Sequence, residues 1–216
     1  MKRNVLLDLD GTLLDSKPGI IRCVNHALVE LGIEARDETE LVGMIGPPLH
    51  LGFPRFLGTE DRSVIATAVK VYRQRYHDVG IYECELFPGV AEMVAKLRAM
   101  GHSLYVVTAK PKPYADRLVR HFDLLSHFQG VYAPTFEDKR DGKAHLIQDL
   151  LGSESVDPTS AVMVGDRDRD VLSAKETRVS SIAVLWGYGG YEELAGCEPN
   201  HLVTSPAELL DLLSLD

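Results

Sequence analysis

Apolar residues along this chain follow two rhythms. Short, nearly unbroken runs at residues 4–9, 103–108, 130–133, 160–164 and 181–185 read as buried strands, the first of them stopping at Asp10-Gly11. Between most of these runs, the apolar positions take helical spacing, over residues 90–100, 114–122, 143–151 and 170–177. Strand alternating with helix predicts an α/β fold: a Rossmann-type, mainly parallel sheet with helices on both faces. Residues 206–215 read as a terminal amphipathic helix packed on that core.

Residues 15–83 interrupt the alternation. They read as wholly helical, at 20–31, 38–44 and 62–76, with no strand-like run between. The expected organisation is a catalytic α/β core of residues 1–14 and 84–216, carrying a small inserted helical domain of residues 15–83. In open α/β sheets, ligands bind beyond the carboxyl ends of the strands. The polar residues ending the predicted strands therefore converge: Asp8 and Asp10, Thr108 with Lys110, and Asp166. Lys143, opening a helix, reaches the same rim.

That set suits phosphoryl transfer. Asp8 can attack phosphorus, while the turn at Gly11 lets Asp10 swing aside and handle a proton on the leaving group. An anion approaching an anionic ester needs cations close by: a divalent ion on carboxylates, with Asp166 as third acid, and Lys143. Taken singly, these residues also have plainer readings. Asp15, Asp116 and Asp141 read as helix N-caps; Asp166 reads equally as cap or metal group, and Thr108 alone as the cap of the next helix.

Composition narrows the partners. The 216 residues are 45% hydrophobic and 25% charged, with a formal net charge of −9. That balance disfavours nucleic acid and anionic membranes, which call for clustered Lys and Arg. The three cysteines, Cys23, Cys84 and Cys197, form no CxxC and read as free thiols. No run reaches membrane-span length, and the start of the chain is too charged for a signal peptide, so a cytoplasmic, soluble protein is expected.

The motifs together resemble the haloacid dehalogenase superfamily of phosphohydrolases, in its phosphoglycolate-phosphatase-like branch, over essentially the whole chain. Asp8-Leu9-Asp10-Gly11-Thr12-Leu13 is similar to the first family motif and Val107-Thr108 to the second. Lys143 resembles the third, and Gly165-Asp166-Arg167-Asp168-Arg169-Asp170 the fourth. The resemblance implies that Asp8 is the nucleophile and, with Asp166 and the backbone carbonyl of Asp10, binds Mg2+. It implies that Asp10 is general acid and base, that Thr108, Lys143 and the amides around Leu9 and Ala109 hold the phosphoryl oxygens, and that Asp170 supports the site. The helical insert corresponds to the family's mobile cap. There Ile45-Gly46-Pro47-Pro48-Leu49 resembles a substrate-facing loop of members named phosphoglycolate phosphatases or 5'-nucleotidases, making Gly46 and Pro47 candidate substrate contacts. The same Gly-Pro-Pro run also reads as a rigid turn.

The resulting expectation is a Mg2+-dependent phosphatase acting on a small phosphorylated metabolite, such as phosphoglycolate or a nucleoside 5'-monophosphate, as a monomer or homodimer. Alternatives are a phosphomutase sharing the same chemistry, or a non-catalytic phosphate-binding domain. Asp10 argues against carbon–halogen cleavage, and the early insert offers only Lys17 for a phosphonate-cleaving Schiff base. Thr177-Arg178 stands where relatives carry a helix-ending Gly. His121 and His127, the arginines Arg55, Arg62 and Arg73, and the mixed-charge run 137–141 read as surface features; the Gly-rich run 186–191 reads as a flexible turn beside the active site.

Overall fold

The computed structural model describes residues 3–138, 140 and 142–214. The chain divides into two compact units, Met1–Leu14 with Leu86–Asp216, and Asp15–Glu85.

In the first unit, β1 (Asn4–Leu7), β4 (Ser103–Val107), β5 (Phe128–Tyr132), β6 (Ala161–Gly165), β7 (Ser180–Val184) and β8 (His201–Val203) form one sheet in the order β5-β4-β1-β6-β7-β8. The neighbouring strands in it pair in parallel. The helices between are α5 (Val90–Ala99), α6 (Lys112–His121), α7 (Ala144–Ser153), α8 (Asp168–Glu176), α9 (Tyr191–Gly196) and α10 (Pro206–Ser214). From β1 the chain steps one way through β4 to β5, then returns beside β1 as β6 and runs the other way. Right-handed crossovers then place α5 and α6 on one face, α7 and α8 on the other. On the latter face Leu6, Tyr105 and Met163 pack with Leu146, Ile147 and Ala174. Alternate residues Val5 and Leu7, fully buried, point to the opposite face. The reversal of direction falls between β1 and β6, where such sheets open a crevice.

The second unit holds α1 (Lys17–Glu30), α2 (Glu38–Leu41), α3 (Leu49–Leu57) and α4 (Arg62–Asp78). The α1 and α4 helices pack together, as do α3 and α4. Phe53 is fully buried, its ring edge-on to Tyr72 at 6.3 Å. The chain passes between the units through β2 (Leu14–Asp15) and β3 (Glu85–Leu86), which pair as a ribbon.

Several elements differ from the sequence pattern. Helix α3 forms despite Gly52 and Pro54 because burial of Phe53 outweighs their poor propensity. The ribbon strands, α9 and β8 are too short to show a period. Asp116 is no cap: it lies inside α6 and pairs with Lys112 at 2.6 Å. Asp15 Oδ1 accepts from the Lys17 amide at 3.2 Å, one residue ahead of the cap position Ser16. Asp141, the other expected cap, lies outside the described residues, as do Lys139 in the mixed-charge run and Leu215 at the end of the tail helix. Helix α8 still ends in a left-handed residue, with Arg178 itself at φ 60° in the place of glycine.

Candidate active site

Parallel register brings the acids together. One residue past β1, the Asp8 amide donates to Val164 O at 2.9 Å, so Asp8 emerges beside the end of β6 and Asp166. Gly11 turns the chain at φ +86°, and a side chain there would overlap the Asp166 carboxylate. One oxygen each from Asp8, Asp166 and Asp170 lie within 4.8 Å of one another, and all these residues are buried.

Lys143 sits at the cap position of α7, its amide donating to Ser173 Oγ on α8 at 3.1 Å. Its Nζ lies 2.7 Å from Asp8 Oδ1 and 2.6 Å from Asp170 Oδ1. The cap position of α8 is Arg167, not Asp166, and Asp170, three residues on, reaches back so that its Oδ2 accepts from the Arg167 amide at 3.1 Å. Asp166 instead accepts from the Tyr188 amide at 2.8 Å. Thr108 is buried at the end of β4, where its Oγ1 accepts from the Lys110 amide at 3.3 Å. It does not cap α6, whose cap position is Pro111. The side chain of Leu9 is fully buried, whereas Ala109 is exposed beyond β4. In the other unit, taken by itself, Gly46 is exposed with φ +99°, and Pro47 is half-buried. His50, Arg55, Arg62 and Arg73 are exposed there.

Sequence spacing gave Lys110 a place at the rim but no partner. Its Nζ lies 2.5 and 2.7 Å from the two Asp10 oxygens, an ion pair across 100 residues of chain that no local spacing reveals. The Gly-rich run 186–191 is likewise more than a turn. It meets Asp166 through the Tyr188 amide, and Trp186 Nε1–H donates to Thr12 O at 3.0 Å.

The charges here are unbalanced. Burial pushes the Asp8 carboxyl up to about 6, with Asp170 and Asp10 adding to the rise and Lys143 opposing it. Burial also drives Asp166 up to about 8, with Asp8 and Asp170 adding to it. Burial alone would lower Lys143, but Asp170 and Asp8 outweigh it and hold the ammonium above the ordinary lysine range. Buried Asp8 Oδ1 has the Lys143 ammonium 2.7 Å away as its charged partner. Hard carboxylate oxygens clustered within 4.8 Å and in negative excess fit a hard divalent cation.

Residues 5–184 match the sequence model of the haloacid dehalogenase-like hydrolase family. The chain belongs to that family. It is similar to a 5'-nucleotidase of Pseudomonas aeruginosa, with 39% identity over 97% of this chain and 95% of that protein. Among solved structures, a haloacid dehalogenase-like family hydrolase from Streptococcus pneumoniae superposes with a TM-score of 0.91, at 31% identity over 98% of both chains. A further relative, the tyrosine-protein kinase PtkA of Mycobacterium tuberculosis, is 34% identical over 86% of this chain and 62% of its own length. With family membership stands the expectation of a phosphoric monoester hydrolase.

Proposed function

We propose that this haloacid dehalogenase-like phosphatase hydrolyses a small phosphate monoester in two displacements at Asp8, with Mg2+ as cofactor. The observation that carries the reading is the buried Asp8 carboxylate, 2.7 Å from the Lys143 ammonium and clustered with Asp166 and Asp170. In the first displacement an Asp8 oxygen bonds to phosphorus as the ester P–O bond breaks, and Asp10 gives its proton to the leaving oxygen. In the second, a water oxygen attacks phosphorus and passes a proton to Asp10. The Asp8–phosphorus bond breaks, inorganic phosphate leaves, and both carboxyl groups return to their starting states.

Asp8, Asp166 and the backbone carbonyl of Asp10 would hold Mg2+, which when bound supplies positive charge against the phosphoryl oxygens. Lys143 damps the charge of Asp8 and, with the Thr108 hydroxyl and the amides at Leu9 and Ala109, holds those oxygens. Asp170 anchors Lys143, which donates to it at 2.6 Å. The Lys110–Asp10 ion pair must open before Asp10 delivers a proton. In this reading unit Asp15–Glu85 is the cap, and Gly46 and Pro47 meet the part of the substrate that departs. The substrate is a nucleoside 5'-monophosphate or phosphoglycolate, the former favoured by the similarity to the Pseudomonas 5'-nucleotidase. No described helix is long and apolar enough to cross a membrane. The proposal adds a cytoplasmic site of action and a monomer or homodimer.

The test is phosphate release from AMP, UMP, phosphoglycolate and an aryl phosphate, with Mg2+ and with chelator. Asp8→Asn is expected to lower turnover by about a thousandfold or more. Full activity of that variant, or equal rates in chelator, would overturn the proposal. The match to PtkA favours a second reading, in which a hydroxyl other than water accepts the phosphoryl group. Phosphate release keeping pace with substrate loss excludes it.

A further inference from the structure

We propose that the loop 186–190 is a positioning element for Asp166: a seat of backbone that fixes the carboxylate and so governs how tightly the site takes a divalent cation. The inference rests on the reading of the acid cluster as a cation site. It concerns residues outside the acid and lysine motifs.

The loop leaves β7 and is fastened at both ends. At its start Trp186 Nε1–H donates to Thr12 O at 3.0 Å, in the turn that follows Asp8 and Asp10. Beyond its end, Glu193 on α9 accepts from Arg167 Nε at 2.8 Å and from the Asp168 amide at 3.1 Å, at the start of α8. Both anchors flank Asp166 in space. Between them the Tyr188 amide donates to Asp166 Oδ2 at 2.8 Å. From the other side the Thr12 hydroxyl lies 3.5 Å from Asp166 Oδ1, so each oxygen has a donor facing it.

Two glycines make this approach possible. A Cβ on Gly187 would overlap the Asp166 Cβ and the Gly11 carbonyl and would lie 2.6 Å from Asp166 Oδ2. A Cβ on Gly189 would overlap the Asp166 carbonyl oxygen and lie 3.1 Å from its carbon. Neither glycine is in the left-handed region. What excludes a side chain is therefore the space that Asp166, and at Gly187 also the Gly11 carbonyl, occupies, not backbone conformation. Asp166 is fully buried as a result, with its orientation set by packing on several sides. Groups that orient a metal carboxylate typically change metal affinity by about 10–100-fold when lost.

The experiment titrates Mn2+ into the purified metal-free protein and follows the free ion by electron paramagnetic resonance, so no turnover is needed. Wild type is expected to bind Mn2+, and Asp166→Asn to lose most of that binding. Gly187→Ala and Gly189→Ala are expected to bind about 10–100-fold more weakly while retaining a cooperative melt. Trp186→Phe keeps an aromatic ring and deletes only the donor to Thr12; it is expected to weaken binding by roughly tenfold and carries the test if the glycine variants do not fold. Folded loop variants that bind Mn2+ like wild type, while Asp166→Asn does not, overturn the proposal and leave the cation site standing. Absence of Mn2+ binding by wild type overturns the cation site and this inference with it.

Discussion

At the strand ends, Lys143 pairs with Asp8 and Asp170 while Asp166 clusters beside them, whereas in the inserted unit Glu83 sits between Arg75 and Arg22. Arg75 Nη1 reaches Glu83 Oε2 at 2.8 Å and Cys23 Sγ at 3.0 Å, and Arg22 Nη1 reaches Glu83 Oε1 at 3.1 Å. The hydrogen bond from Arg75 draws the Glu83 carboxyl below its ordinary value, and burial pushes the Cys23 thiol up to about 11, so it stays protonated. Those charges satisfy one another and solvent reaches them. At the strand ends burial and mutual repulsion raise two carboxyls instead, and one cation cannot compensate three anions. An over-supplied acid cluster in low dielectric destabilises the chain that holds it, unless a ligand of opposite charge arrives. The inserted cluster balances its own charge; the strand-end cluster does not, which is what the proposed cation site requires.

That contrast has consequences of graded size. Lys143→Met leaves the buried acids with no cation beside them and is expected to cost about 3–5 kcal/mol in urea unfolding of the metal-free protein. A loss like that of a surface mutation would mean the cluster is not strained. Next comes pH. Asp8 and Asp166 both have folded values above the ordinary 3.8, so the native state holds more protons than the unfolded chain between about 4 and 6 for Asp8, and up to about 8 for Asp166. Stability of the metal-free protein therefore falls as pH rises through that window. Thermal melts are expected to drop by several degrees across it, and Mg2+ to restore most of the loss at the alkaline end. A flat profile would remove the electrostatic distinction between the clusters.

The inserted cluster gives the smaller effects. Arg75→Met is expected to cost about 1 kcal/mol, since the pair is partly solvated and Arg22 remains on Glu83. Arg22, 60% exposed, is expected to matter by no more than about 0.5 kcal/mol on removal. Both are read from urea midpoints at constant slope. An Arg75→Met loss equal to that of Lys143→Met would make the two clusters energetically alike.

Much of the core was legible because its signals are local. The run before Asp8, the Gly11 turn and the Gly165-Asp166 pair at the end of β6 each mark a strand end within a few residues. Phe53 shows the opposite case, where burial on Tyr72 carries a helix through Gly52 and Pro54 against its local preferences. The run 186–190 reads from the sequence as a turn beside the site, but its packing on Asp166 was not legible, for another reason. Glycine-rich spacing looks the same whether the glycines give freedom or make room, and only the proximity of Asp166 shows that Gly187 and Gly189 make room.

By itself, the chain determined where the main core strands run and which acids stand at their ends, because alternation and turns arise from sterics and burial over a few neighbours. Tertiary structure alone decided the partners: Lys143 on Asp8 and Asp170, Lys110 on Asp10, Tyr188 on Asp166. Those partners are fixed by parallel register between strands far apart in sequence, and charges so brought together acquire their strength only once water has been excluded around them.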